Sequence, residues 1–374
     1  MNEIRDSTYD ACSLFMFVDE GCLFQKILHH SKKYPQYAPY LANTIFPFCG
    51  LIVHDSIKFV RDHFDPSLYL DSQSVSRLRN ATKSLSSTGL SVDKYTEEVC
   101  AIADYLSSKF KNHTGIFGNL MNSMQPDAGI SYYNGVPIYT TYNLSRYLAK
   151  YNSAGLESIF DPDVAKQMGY DIGQAASPSF YTVEALGVAS SIIEVNSFSV
   201  TNKDFHYSNL LQPITERGLT NPVYFFMLCE GLTQLNSTQA LRESGFFSNL
   251  IEIKMTTAVL VAFERSLTKL CRYMFKYPEF ENNPLYANSI LSKLISKDQQ
   301  KLIRKAKDLR NALIHYDFIK LLGEGVCRDN DAETILSLAI ASTVKMTSSN
   351  YLDWLRGARK EITTNIAEIV NLPN

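Results

Sequence analysis

A clean helical periodicity in the last third of the chain constrains the fold most. From Ile251 to about Phe275, apolar residues recur at helical spacing, and several fall on one face at 100° per residue: Ile253, Leu260, Leu267, Cys271 and Met274. Prolines at 278 and 284 end the pattern. A long amphipathic helix must bury its apolar face against other elements, so the pattern predicts helix packing in this region.

Two further helical patterns follow. The second covers about 298–322 and ends before two glycines, which commonly terminate helices. The third starts after the polar run 329–331, which offers several capping side chains, and continues to about residue 370 with a break near Ser348. Together the three patterns predict that residues 246–374 form an antiparallel helical bundle.

Weaker signals in the first 245 residues predict a mostly helical region of unknown role. The stretch YTEEVCAIADYLSSKF has helical spacing, and Ser91 just before it is a suitable N-cap. Asn134-Gly135 lies between aromatic and β-branched residues, which predicts a hairpin or small β element and allows a subdivision near 121–140. A polar segment containing Gly245 precedes the clean helix, so we place the domain boundary near residue 245. The predicted fold class is mainly α.

Composition places the chain among ordinary globular proteins. It has 374 residues, of which 45% are hydrophobic and 20% charged, enough for two or three packed units. The seven cysteines are scattered and never form CxxC, which argues against a disulfide framework or a zinc ribbon. The first residues are polar, and apolar runs are far shorter than the roughly 20 residues that span a bilayer. We therefore expect a cytoplasmic protein without membrane partners.

Positive charge is concentrated towards the C-terminal end. Residues 251–374 carry 18 Lys and Arg against 14 Asp and Glu, whereas residues 1–250 carry 18 against 24. The densest basic run predicts contacts with an RNA backbone, and its candidate RNA-binding residues are Lys301, Arg304, Lys305 and Lys307. A solvated helix face is the alternative explanation.

The string KAKDLRNALIHYDF carries the one motif that suggests chemistry. Arg310 is followed by the polar Asn311, and His315 comes after four intervening residues. This arrangement, inside an amphipathic helix of a bundle, resembles the signature of HEPN domains. The resemblance covers roughly residues 250–374 and does not extend to the first 245 residues.

Helix geometry gives these residues different positions. If the second pattern is one helix, Arg310 falls inside its apolar sector, where a guanidinium needs a partner. Asn311 and His315 are four residues apart and share the edge of that sector, where they could line a groove. Glu264 falls on the apolar stripe of the preceding helix, so we predict that it pairs with Arg310 in a supporting role. The alternative is an exposed Glu264 paired with Lys269 or another basic residue.

The resemblance implies a metal-independent endoribonuclease that needs no cofactor. In such enzymes the RNA 2′-hydroxyl attacks the phosphate. The family likeness assigns His315 to proton transfer, Arg310 to the phosphate and Asn311 to orientation. It also implies a homodimer in which two motif helices form one groove, and a toxin or phage-defence role with an antitoxin or trigger protein as partner. Some family toxins carry a modifiable Tyr two residues after the His, where this chain has Asp317, with Tyr316 beside the His instead.

The motif and several other residues allow alternative interpretations. The motif could belong to a non-catalytic HEPN-like module for dimerisation or RNA binding, or occur by coincidence in a helical scaffold. The His29-His30 pair and the group of His54, Asp55 and His63 lack a recognised metal-ligand spacing, so we expect no metal site. Most aromatic residues should be core, although four in the turn-rich segment could stack on bases, namely Tyr132, Tyr133, Tyr139 and Tyr142.

Overall fold

The computed structural model describes residues 10–63, 72–86, 90–115, 117–151, 155–185, 195–276 and 289–372. Within these ranges the fold is mainly α with one small sheet, as predicted. No helix in the described part of the chain combines the length and the apolar character needed to cross a membrane.

Helices dominate the region before residue 245. The N-terminal helices are α1 (Ala11–Lys33), α2 (Ala38–His63), α3 (Ser72–Ala81), α4 (Val92–Phe110), α5 (Gly118–Met124), α6 (Thr141–Tyr151), α7 (Pro162–Ala185), α8 (Tyr207–Glu216) and α9 (Pro222–Glu243). Two 3-10 turns, Pro35–Tyr37 and Gly155–Phe160, lie between them. The expected start of α4 is confirmed, because the Ser91 hydroxyl accepts a hydrogen bond from the amide of Lys94.

The predicted β element is a hairpin joined by a third strand. β1 (Ala128–Tyr133) and β2 (Val136–Thr140) are antiparallel, and β3 (Thr201–Phe205) pairs with the other edge of β1. Asn134 and Gly135 both have positive φ, as the tight turn of such a hairpin requires. The sheet packs on α9, where the amide of Asn236 and the hydroxyl of Ser237 donate to carbonyls of β2.

The described residues of the C-terminal region form helices joined by short turns, without a strand. Its helices are α10 (Asn249–Lys276), α11 (Lys297–Lys305), α12 (Lys307–His315), α13 (Phe318–Leu322), α14 (Glu324–Arg328), α15 (Ala332–Val344) and α16 (Ser348–Val370). The first and third predicted patterns are confirmed as α10 and as α15 with α16, and Asp331 is the cap that α15 uses. The prolines at 278 and 284 lie outside the described residues.

The second pattern does not form one helix, so that prediction is wrong. The chain turns at Ala306, which separates α11 from α12, and again at Tyr316, which has left-handed φ and ψ of 52° and 44°. The second break has a clear cause. The Tyr316 ring is buried and its hydroxyl bonds to Glu20 of α1, which a continuing helix would prevent. Tertiary contacts here outweigh helical periodicity.

One hydrophobic core joins residues from both sides of the predicted boundary. It extends from Cys12 in α1 to Val370 in α16, and α9 packs against both α10 and α16. Gly245 lies in the turn between α9 and α10, with φ +82°. The division into residues 1–245 and 246–374 stays a prediction.

A glycine in α9 allows that helix to approach α10 closely. A methyl group at Gly231 would overlap the buried ring of Phe263, whereas one at the exposed Gly357 of α16 would meet nothing within 4 Å. We expect Gly231→Ala to reduce the free energy of unfolding by about 1–3 kcal/mol through overpacking. The matched Gly357→Ala should increase it by about 0.5–1 kcal/mol. Urea denaturation of both variants tests this, and equal effects would contradict the close contact between α9 and α10.

Candidate functional site

The motif residues lie on α12 and its C-terminal end. His315 is the last residue of the helix, and its side chain is 47% exposed. Asn311 is one turn earlier, and both residues line a cavity of about 460 Å³ beside α13. The predicted groove shared by Asn311 and His315 therefore exists. Asp308, Asp317 and Lys320 also line it.

A carboxylate from α2 holds the imidazole of His315. The Nδ1 atom of His315 lies 2.9 Å from Oδ1 of Asp55, whose side chain is only 4% exposed. Because Nδ1 faces the buried carboxylate, Nε2 is the nitrogen left to face a ligand in the groove. A buried carboxylate that fixes the tautomer and orientation of a histidine is the arrangement that proton-transfer sites use.

Asp55 remains ionised in its buried position. Burial favours the neutral carboxyl, but hydrogen bonding and attraction from His315 and His54 outweigh it and hold the pKa of Asp55 well below its ordinary value. The second imidazole is more distant, with its Nδ1 atom 3.4 Å from Oδ1 of Asp55. The other oxygen, Oδ2, is buried and has no hydrogen-bond partner among the described residues. The site thus contains a fixed negative charge behind His315.

The C-terminal end of α12 is anchored by a buried cluster. Lys254 of α10 donates to Glu20 of α1 at 2.5 Å, and both side chains are fully buried. The hydroxyl of Tyr316 also bonds to Glu20, while the Lys254 ammonium lies 4.2 Å from the centre of the Tyr316 ring. Ser13 of α1 donates to the Tyr316 carbonyl at 2.9 Å. These contacts fix the backbone directly after His315.

The contacts of Tyr316 also concern the position of the tyrosine, which differs between this chain and the HEPN toxins it resembles. Tyr316 is 6% exposed and its hydroxyl faces Glu20, so it cannot be reached by a modifying enzyme in this conformation. Asp317, at the position of the modifiable family tyrosine, caps α13 by accepting from the amide of Lys320. Neither Tyr316 nor Asp317 therefore offers an accessible tyrosine hydroxyl for modification.

Arg310 is directed to a different cavity. Its guanidinium donates to the Asn311 side chain at 3.1 Å, but Arg310 lines a cavity of about 250 Å³ between α2, α3, α9, α10 and α12. Burial lowers the pKa of Arg310 to about 10, and repulsion from Arg79 and Arg265 contributes to the shift. Within one chain, Arg310 and His315 therefore do not line the same cavity.

The predicted pair between Glu264 and Arg310 is wrong. Glu264 is 5% exposed, as its position on the apolar stripe indicates, but its carboxylate accepts from Nε of Arg304 at 2.7 Å and from Thr268. The break at Ala306 separates α11 from α12, and it is Arg304 of α11 that reaches Glu264. Lys269, the alternative partner, donates to the carbonyls of Leu85 and Leu90 instead.

The candidate RNA-binding residues form an exposed basic surface. Lys301, Lys305 and Lys307 are exposed, while Arg304 is exposed but engaged with Glu264. A backbone-binding role for these residues stays a prediction.

The suggested base-stacking role of the four tyrosines of the turn-rich segment does not fit the structure. Tyr132, Tyr133 and Tyr142 belong to the hydrophobic core, and Tyr139 is partly buried against it. Burial of their rings explains the aromatic content of this segment without a ligand. In the part of the chain that the structure describes, no three His, Cys, Asp or Glu side chains gather as a metal site would require.

Sequence reasoning considered Asp55 only as a metal ligand and missed its role beside His315, although a signal was present. It falls on the apolar stripe of α2, where the series Phe48, Ile52, Asp55 and Phe59 has successive spacings of four, three and four residues. An aspartate in a core position needs a partner, which the sequence does not identify. The nearness of Arg79 and Arg265 to Arg310 depends on helix packing and has no sequence signal.

Comparison of the chain with models of protein families, with curated proteins and with solved structures finds no match. The likeness to HEPN domains therefore depends on the spacing of Arg310, Asn311 and His315 and on the helical surroundings of these residues.

Proposed function

We propose that this protein is a metal-independent endoribonuclease of the HEPN type, with His315 as its acid and base. The observation that carries the proposal is the buried Asp55 carboxylate 2.9 Å from Nδ1 of an exposed His315, beside Asn311 in an open groove. A histidine with a purely structural role would be expected to be buried, whereas the side chain of His315 is 47% exposed.

The chemistry uses groups that the chain and RNA supply. Nε2 of His315 accepts the proton of the RNA 2′-hydroxyl, whose oxygen attacks the adjacent phosphorus. The bond from phosphorus to the 5′-oxygen breaks, and that oxygen takes a proton from an imidazolium. The products are a 2′,3′-cyclic phosphate and a 5′-hydroxyl. Asp55 stabilises the protonated imidazole, and Asn311 offers an amide to the phosphate.

A second copy of the chain would complete the groove. Among the described residues, the cavity at His315 is lined by Asp308 and Asp317 but by one cation, Lys320, which suits a polyanion poorly. A two-fold contact would bring a second α12, with its own histidine and basic neighbours, to the same groove. Basic side chains at Lys301, Lys305 and Lys307 would then attract the RNA backbone. The proposal includes a biological role for this activity: cleavage of RNA by a toxin or a phage-defence protein.

The separation of Arg310 from His315 favours a second candidate, a non-catalytic HEPN-like module that dimerises or binds RNA. In that case Asp55 and His315 form a structural contact, and RNA binding occurs without cleavage. Product analysis separates the two functions.

We expect the purified protein to cut single-stranded RNA in excess EDTA and to leave a 2′,3′-cyclic phosphate. DNA and 2′-O-methyl RNA of the same sequence should stay intact because they lack the nucleophile. Mass spectrometry of the cleaved ends identifies the products. Cleavage that needs added Mg²⁺ or Mn²⁺, or that yields 5′-phosphates, would reject this mechanism.

Dilution tests whether two chains together form the groove at His315. If two chains form the site, activity per chain should fall as the protein is diluted below its dimer dissociation constant. Sedimentation and cleavage are measured on the same concentration series. A constant rate per chain from a protein that stays monomeric would show that one chain suffices.

A further inference from the structure

A second cavity of the fold is lined by four cations. It lies between α2, α3, α9, α10 and α12, and we call it the arginine pocket after its residues Arg79, Lys83, Arg265 and Arg310. No carboxylate of the described residues lines it. Its other walls are hydroxyls and apolar side chains, among them Leu51 and Val259.

Arg79, Arg265 and Arg310 are half-buried, and Lys83 is exposed. All four differ from the fully buried cations of the fold. Arg146, Lys254 and Arg359 are buried, and each forms an ion pair with a glutamate. By contrast, the cations of the arginine pocket form no ion pair within 4.0 Å among the described residues. Three half-buried guanidinium groups that share one pocket and have no ion pair oppose folding, so a stabilising role does not account for them.

A single carboxylate that acts on the pocket cannot neutralise this cluster. Asp55 attracts both Arg79 and Arg310, but its hydrogen bond goes to His315. The lowered pKa values of Arg79 and Arg310, caused first by burial, agree with positive charge that lacks compensation. An anion entering from solution would supply the missing charge.

The pocket has the donors that a phosphate needs. Guanidinium groups bind phosphate oxygens through paired N–H donors, and several such groups can surround linked phosphates. The hydroxyls of Ser84 and Ser86 lie 2.6 Å apart, so one donates to the other and one hydroxyl hydrogen remains for a ligand oxygen. The apolar wall at Leu51 and Val259 can contact a base or sugar.

We propose that the arginine pocket binds a small ligand with two or more linked phosphates, such as a nucleoside polyphosphate. A cavity of about 250 Å³ suits linked phosphates with part of a nucleoside better than a continuous RNA strand. The ligand would engage Arg310 and so contact α12, the helix that carries His315. This proposal stands independently of RNA cleavage, since it concerns binding at residues other than His315.

Calorimetry on the full chain tests the proposal with four probes: inorganic pyrophosphate, adenosine triphosphate, unphosphorylated adenosine and uncleavable 2′-O-methyl RNA. We expect the first two to bind more weakly as salt increases, and adenosine not to bind. Arg265→Gln and Lys83→Gln should each weaken pyrophosphate binding by about tenfold or more, as loss of a charge-assisted hydrogen bond predicts. Arg328→Gln, which removes an exposed arginine of α14, is the matched control and should change nothing.

Thermal unfolding without ligand provides a second measurement. Because Arg265 is repelled by its neighbours, Arg265→Gln should unfold at the same or a higher temperature than the wild type, yet lose the stabilisation by pyrophosphate. A lower unfolding temperature without ligand would assign Arg265 a structural role and overturn the proposal. So would binding of RNA alone, or equal pyrophosphate affinity in the Arg265→Gln and Arg328→Gln proteins.

Discussion

Lys254→Met should destabilise the protein by about 3–5 kcal/mol, because it leaves the fully buried Glu20 carboxylate without its cation. The hydroxyl of Tyr316 continues to donate to Glu20 but carries no charge. Since Glu20, Lys254 and Tyr316 join α1, α10 and the end of α12, the loss should also loosen the backbone beside His315. Urea denaturation gives the change in the free energy of unfolding.

Two further variants show whether burial is the cause. Lys166→Met breaks a pair with Asp163 in which the side chains are 77% and 83% exposed, and should cost less than about 1 kcal/mol. Lys254→Met combined with Glu20→Gln removes the uncompensated charge but keeps an acceptor for Tyr316, so it should be more stable than Lys254→Met alone. If Lys254→Met were no worse than Lys166→Met, the buried pair would have no net role.

Local signals in the sequence predicted much of the fold. Three features depend only on residues that are close in the sequence: the helical periodicity of α10, the capping serine of α4 and the Asn134-Gly135 turn. They can therefore be predicted without knowledge of packing. The single helix over 298–322 failed because Tyr316 is fixed by Glu20, nearly three hundred residues earlier in the sequence. Contacts at such separation cannot be derived from periodicity.

The site shows the same limit. The sequence placed Asn311 and His315 on one groove because they are one helical turn apart. Helix faces predicted an ion pair between Glu264 and Arg310, but the chain breaks at Ala306, and Glu264 pairs with Arg304 instead. The sequence missed the pairing of Asp55 with His315 because α2 and α12 meet only in the folded chain. Helix faces predict which side chains turn inward, while the partner depends on the packing.

The largest effect on activity should come from His315. We expect His315→Asn to reduce the turnover number for RNA cleavage by about 10²- to 10⁴-fold, the usual contribution of a general acid and base. Asparagine is preferred to alanine because its amide can still donate to the Asp55 carboxylate. His315→Ala would leave that buried carboxylate without its hydrogen-bond partner and add a cost in stability of about 1–3 kcal/mol. With asparagine, loss of cleavage is separated from loss of folding.

Asp55→Asn extends the test to the group behind the histidine. An amide cannot stabilise the imidazolium as a carboxylate does, and it can hold the wrong tautomer, so the turnover number should fall at least about tenfold. KM should stay close to the wild-type value, because Asp55 is buried and does not face the groove. The control for His315→Asn is His29→Asn, which replaces an exposed histidine of α1 by asparagine. The His29→Asn protein should cleave RNA like the wild type. Full cleavage by His315→Asn would remove the proposed acid and base, and would leave Asp55 and His315 as a structural contact within a non-catalytic module.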